Sequence, residues 1–148
     1  MCNLVRKNLK AQFETQWREQ LDTSSKCLFY KNYKQNIARE PFLHQLPERF
    51  VICLTKFRCN NHKLQIELGR KFGIPRQERF CRKCDMNVVG DEFHQLMECP
   101  AYREERIKYI PQRFRQIKST FNFCRFVGNK TKGIMIKLAK ILIATKTV

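Results

Sequence analysis

The segment FCRKCDMNVVGDEFHQLMECP constrains this chain more than any other. It sets Cys81, Cys84, His94 and Cys99 at the spacing Cys-x2-Cys-x9-His-x4-Cys. Two cysteines two residues apart suit a knuckle turn, in which both thiolates and nearby backbone N–H groups converge on one ion. A histidine and a third cysteine returning from the next element complete a tetrahedron, with Zn–S near about 2.3 Å and Zn–N near about 2.0–2.1 Å. Gly90 is expected to turn the chain between the two halves. Asp91 then caps a short helix bearing Phe93, His94, Leu96 and Met97, and the apolar members pack beneath the ion. Four protein ligands leave no position for water, so the expectation is one structural Zn2+ and no metal catalysis.

The remaining cysteines invite no comparable reading. The N-terminal stretch MCNLVRKNLKAQFETQW has no apolar h-region, and no uncharged apolar run nears the roughly 20 residues that cross a bilayer. An intracellular, reducing setting (nucleus or cytoplasm) follows as the expectation, with the eight cysteines as thiols or metal ligands rather than disulfides. Cys59-x2-His62, with Cys53 nearby, is a second half-site. It lies in a segment patterned as helix, where a buried cysteine is the commoner reading than a second metal. Cys2, Cys27 and Cys124 have no partner at a usable spacing, and His44 reads as an ordinary loop or surface residue.

Charge supplies the second constraint. Lysine and arginine number 30 against 13 acidic residues, a net charge of +17. The surplus is uneven: residues 56–84 carry nine basic and two acidic side chains, and no acidic residue follows Glu105. So large a surplus repels itself in a compact fold, and a polyanionic partner, RNA or DNA, accounts for it most directly. A solvated basic surface with no dedicated partner is the plainer alternative.

Periodicity predicts a mainly α fold: a small helical domain with an embedded CCHC zinc knuckle. Leu9, Phe13, Trp17 and Leu21 stripe an amphipathic helix over residues 4–21. Asp22 to Ser25 break it, and Cys27 to Tyr30 suit either a short strand or a helix start. Pro47 introduces a helix striped by Phe50, Leu54 and Phe57. After Asn60 and Asn61, a short helix carries Leu64, Ile66 and Leu68 to a stop at Gly69. Gly73 and Pro75 make residues 70–80 an extended basic loop. Helix resumes at Pro100, breaks at Pro111, and a last helix from about Thr131 to Ile143 presents Ile134, Leu138, Ile141 and Leu142 to the core. The implied organisation is an N-terminal helical extension at 1–49, a zinc-binding region at 50–118 and a basic C-terminal helix at 119–148.

In the basic loop, Arg70, Lys71, Arg76, Arg79, Arg82 and Lys83 are the candidate phosphate contacts. Phe72 and Phe80, interleaved with them, are candidates for stacking on unpaired bases, with core packing the alternative for Phe80. Two other function classes stay open. A zinc-stabilised fold can present helices to a protein partner, and the cationic stretch 132–146 has the look of a membrane-surface helix. Its narrow polar strip, chiefly Lys137 and Lys140, fits a core helix better.

Cys81 to Cys99 with Pro100-Ala101-Tyr102, preceded by Leu54-Thr55-Lys56-Phe57-Arg58-Cys59-Asn60-Asn61-His62-Lys63-Leu64, resembles the zinc-knuckle region near the C-terminus of non-LTR (LINE-type) retrotransposon reverse transcriptases. Asp91-Glu92-Phe93-His94 with Cys99-Pro100 is the most specific part, and the likeness spans roughly residues 50–110. The nine residues between Cys84 and His94 slightly exceed the usual number, an excess that one extra turn residue near Gly90 absorbs. The resemblance implies a zinc-bearing tail that engages nucleic acid, with residues 50–118 as its reverse-transcriptase-type zinc-binding domain. It does not bring polymerase chemistry: no Asp-Asp pair is present, and no carboxylate cluster suits two-metal catalysis. The expectation is a chain that is not an enzyme.

Overall fold

The computed structural model describes residues 2–26 and 28–148, Cys2 without its side chain. These residues are mainly helical, and the strand content among them is one antiparallel bridge between Phe80 and Val89. None of their helices is long and apolar enough to cross a membrane. The chain divides into two compact units, one up to Arg39 and one from Glu40 to Val148.

In the first unit, α1 (Cys2–Thr23) forms over and beyond the predicted span. Its apolar stripe is only partly covered: Trp17 and Leu21 are half-buried, whereas Leu9 and Phe13 stand exposed. A one-turn helix, α2 (Tyr30–Tyr33), packs on it. Arg18 Nη2 donates to the Gln35 carbonyl at 3.2 Å, and Lys31 Nζ lies 3.6 Å from Asp22 Oδ1. Cys27 lies outside the described residues, as does the side chain of Cys2.

The second unit strings together α3 (Phe42–Gln45), α4 (Glu48–Arg58), α5 (Gln65–Lys71), α6 (Arg103–Tyr109), α7 (Gln112–Arg115), α8 (Thr120–Val127) and α9 (Lys132–Ala144). Its centre is the packing of α4 on α9, with α3, α6 and α8 also against α9. The predicted stripes are the buried ones: Phe50, Leu54 and Phe57 on α4, and Ile134, Leu138, Ile141 and Leu142 on α9. Each such side chain withdrawn from water contributes about 1.5–3 kcal/mol. Arg58 is buried here as well. Its Nη1 pairs with Glu40 Oε2 at 2.9 Å and its Nη2 donates to the Val127 carbonyl at 2.6 Å, so a charged side chain links the start of the unit to α8. Phe114, Phe123 and Phe126 form the other end of the core.

Three local expectations are corrected. Gly69 does not stop its helix, which continues to Lys71 and ends before Gly73, whose φ of +67° is the left-handed turn. Gly69 is instead a close-approach residue: an added Cβ would fall 2.6 Å from Arg79 Cγ. Residues 70–80 are consequently not an extended loop. Arg70 and Lys71 belong to α5, and Arg76–Glu78 form a 3-10 turn. The segment 119–148 is two helices rather than one. Ser119 Oγ accepts from Asn122 N to start α8, and Gly128 ends it. Both helices lie in the same compact unit as the cysteine cluster.

Candidate metal centre

The site begins with a hairpin-like pair of segments. Cys81 N–H donates to the Val88 carbonyl at 2.9 Å and Gly90 N–H to the Arg79 carbonyl at 2.9 Å, which brackets the loop 82–87. Within that loop Lys83 N–H points at Cys81 Sγ, 3.4 Å away. The left-handed residue of the loop is Asn87, φ +51°, and not Gly90. Gly90 is present for room: a Cβ there would meet Cys81 Cα at 3.0 Å and Gln65 Cβ at 3.1 Å. Its carbonyl accepts from Ile66 N–H at 3.1 Å and so caps the start of α5, which ties that helix to the cysteine loop.

Asp91 caps the second half as expected, its Oδ1 accepting from His94 N at 2.9 Å. The helix it opens is unusual. Residues His94–Glu98 are wound as a π turn, closed by Cys99 N–H to the His94 carbonyl at 2.7 Å. On an α-helix, residues five apart point roughly 140° away from each other. A π turn takes five residues to close its hydrogen bond and brings the fifth back over the first. That winding lets a His-x4-Cys spacing serve one ion.

The result is a cluster in which Cys81, Cys84 and Cys99 Sγ and a His94 ring nitrogen lie within 4.8 Å of one another, able to hold one metal ion. Cys81 Sγ and Cys99 Sγ are 3.9 Å apart, and Cys84 Sγ is 3.3 Å from His94 Nε2. His94 and Cys99 are buried, Cys81 and Cys84 half-buried. Leu96 and Met97 are fully buried beside the site, while Phe93 is half-buried with its ring edge-on to Phe123 at 5.7 Å. Burial pushes the Cys99 thiol up to about 12, and the adjacent Cys81 sulfur adds to the rise. A thiol so placed keeps its proton at neutral pH unless a cation bound among the sulfurs displaces it to solvent.

Two features of the surroundings escaped the sequence reading. Glu98 Oε2 stands 3.5 Å from His94 Nδ1, beyond a good hydrogen bond, and that buried nitrogen has no hydrogen-bond partner among the described residues. Arg106, buried on α6, donates from Nη1 to the Gln95 carbonyl at 3.2 Å and from Nη2 to the Glu98 carbonyl at 3.4 Å. Burial lowers the Arg106 pKa, and a Cys99 thiolate would oppose that shift. The signal for it was only an arginine at the fourth position of a basic-acidic helix.

Cys59 and His62 do not build a second site. Cys59 is exposed, and His62 Nε2 is 2.9 Å from Glu92 Oε1, which also accepts from Asn60 Nδ2. The six candidate phosphate contacts divide. Arg79 is occupied by backbone, its Nε donating to the Ile74 carbonyl at 2.8 Å and its Nη1 to the Ile66 carbonyl at 2.9 Å. Arg70 pairs with Glu67 at 3.2 Å, and Arg76 faces Asp91 at 3.6 Å. Lys71, Arg82 and Lys83 are exposed. Phe72 and Phe80 are exposed too, Phe72 by 80 %.

No protein-family model, curated protein or solved structure matches this chain.

Proposed function

We propose that this chain is a non-catalytic nucleic-acid-binding module stabilised by one structural zinc ion on Cys81, Cys84, His94 and Cys99. The observation that carries it is the closed Cys3His cluster. A tetrahedral zinc site has S···S edges of about 3.8 Å and S···N edges of about 3.6 Å, from the usual bond lengths. The 3.9 Å and 3.3 Å separations fit that cage. Soft thiolate donors in a tetrahedron favour zinc over hard divalent ions. When bound, the ion would hold the knuckle loop, the π turn and, through them, α5 and α6 in register; with four protein donors it has no place for a reacting water.

Nucleic acid is supported by the net charge of +17 and by the exposure of Arg82 and Lys83 on the knuckle turn. Carboxylates near the site hold structure instead of metal: Asp91 caps a helix and Glu92 pairs with His62. The order of ligands also supports descent from the terminal region of a LINE-type reverse transcriptase. Membrane-surface binding through α9 is disfavoured, because Ile134, Leu138, Ile141 and Leu142 are buried in the core.

Native mass spectrometry should find one zinc per chain, and chelation should abolish salt-sensitive binding to RNA or DNA oligonucleotides. A metal-free chain that stays fully folded and binds unchanged would overturn the reading.

A further inference from the structure

The loop after α4, the cysteine knuckle and the turn after α9 enclose a groove of about 600 Å³. Lys63, Arg82, Lys83 and Lys146 line it, and no carboxylate does. These cations come from three separate segments, so their convergence is a property of the fold and not of a local basic run. The walls are fastened together. Lys63 N–H donates to the Thr147 carbonyl at 2.7 Å. The Gln95 side-chain amide donates to Thr145 Oγ1 at 2.8 Å and to Thr147 Oγ1, which binds the C-terminal turn to the same π segment that carries His94.

Lys146 adds an independent observation. It sits just past the end of α9 with φ +52°, donating to the Ile143 carbonyl while Thr147 N–H reaches the Leu142 carbonyl. Glycine takes this left-handed closing position without strain, and a lysine does not. A lysine held in a left-handed backbone conformation on the lining of this basic groove is a reason to ask what the groove holds.

Its lining also includes Leu64, Leu68 and Tyr102. A duplex offers phosphates but keeps its base faces stacked inside, and would leave this apolar and aromatic surface in water. An acidic peptide would satisfy the lysines and likewise leave Tyr102 without a π partner. A single strand supplies phosphates and unpaired bases together. We propose that the groove binds single-stranded nucleic acid, phosphates on Lys63, Arg82, Lys83 and Lys146 and a base against Tyr102. The proposal rests on the nucleic-acid reading above and replaces Arg70, Arg76 and Arg79 as the principal contacts.

The test uses the zinc-loaded full chain and fluorescence anisotropy with labelled oligo(U), oligo(dT), a duplex and a polyglutamate peptide. With four phosphates engaged, log affinity for a single strand should fall with log salt at a slope of about −3, at about −0.7 per phosphate. Replacing Lys63, Arg82 and Lys83 by glutamine together should flatten that slope by about 2. Tyr102→Leu should weaken single-strand binding about 5- to 150-fold with the slope unchanged, and leave duplex binding alone. Lys146→Gly relieves backbone strain while removing a charge, so it should bind more weakly yet fold more stably; misfolding cannot mimic that pair of results. If wild type binds strands and the triple variant keeps both slope and affinity, the groove assignment fails and the nucleic-acid reading stands. If polyglutamate or duplex binds as tightly as oligo(U) and oligo(dT), with no effect of Tyr102→Leu, the single-strand assignment fails. If wild type binds no oligonucleotide, both fall.

Discussion

Replacing Gly69 by alanine should destabilise the second unit, although the same change in an ordinary helix stabilises it. The new Cβ would lie 2.6 Å from Arg79 Cγ and 2.9 Å from Cδ. Arg79 cannot swing aside cheaply, because its guanidinium is anchored on the Ile74 and Ile66 carbonyls at 2.8 and 2.9 Å. Hydrogen bonds from a charged group contribute about 1.5–3 kcal/mol each, so losing both costs about 3 kcal/mol even at the low end. Alanine's better helix propensity returns about 1 kcal/mol. The net loss is about 2 kcal/mol. Gly133, in the first turn of α9, has nothing within 4 Å of its would-be Cβ and no left-handed φ. Gly133→Ala should therefore stabilise by about 0.5–1 kcal/mol. Urea unfolding at fixed free zinc, followed by far-ultraviolet circular dichroism, measures both; a parallel series on the cobalt-loaded chain at fixed free cobalt follows the site by its thiolate absorption. In an Arg79→Ala background the obstacle is gone, and Gly69→Ala should turn from destabilising to stabilising. Gly69→Ala and Gly133→Ala stabilising equally in the wild-type background would refute the packing account.

Arg106→Leu should lower stability by about 3 kcal/mol, because it strips the Gln95 and Glu98 carbonyls of a buried charged donor; cobalt titration should show weaker metal binding alongside it. Cys84→Ser should lose the metal and, with it, the folded cysteine loop, while α1 keeps its helical signal, as hydrogen exchange will report. Burial raises the Cys53 thiol from 9.0 to about 11. Below pH 9 the thiol is protonated folded or unfolded and has no effect; between pH 9 and 11 only the unfolded state ionises. Stability should thus fall by about 3 kcal/mol across that window, at about 1.4 kcal/mol per pH unit. Comparison of the pH slopes of wild type and Cys53→Ala isolates that contribution.

The metal cluster was legible because donors close in sequence need little tertiary knowledge to be brought together. The stripes of α4 and α9 were legible for a related reason: their period of hydrophobic residues is long enough to define one face. What escaped depended on partners far along the chain. Gly69 looked like a helix stop only because Arg79, ten residues on, is invisible to a local pattern. Arg79 itself counted as a phosphate ligand because sequence shows a charge but not the carbonyls that occupy it. The groove was least legible of all. Lys63 and Lys146 lie 83 positions apart, and they become neighbours through the Lys63 N–H bond to the Thr147 carbonyl and the clamp of Gln95 on the C-terminal threonines. The bounds of α8 are different, since Ser119 and Gly128 are cap and stop residues by type and are readable locally.

The π turn gives the ligand spacing a one-residue slack. A backbone that can close its hydrogen bonds over four residues or five can present the same pair of donors from His-x3-Cys or from His-x4-Cys. Deleting one residue between His94 and Cys99 would let an ordinary α-helix keep both donors on one face, so the cage could be rebuilt. The bill would fall downstream: Pro100, α6 and the Arg106 guanidinium would be rotated by about a quarter turn or more about the helix axis. Two chains with such metal sites can therefore differ in motif length while sharing a coordination geometry, and share motif length while differing in how the following helix leaves the ion.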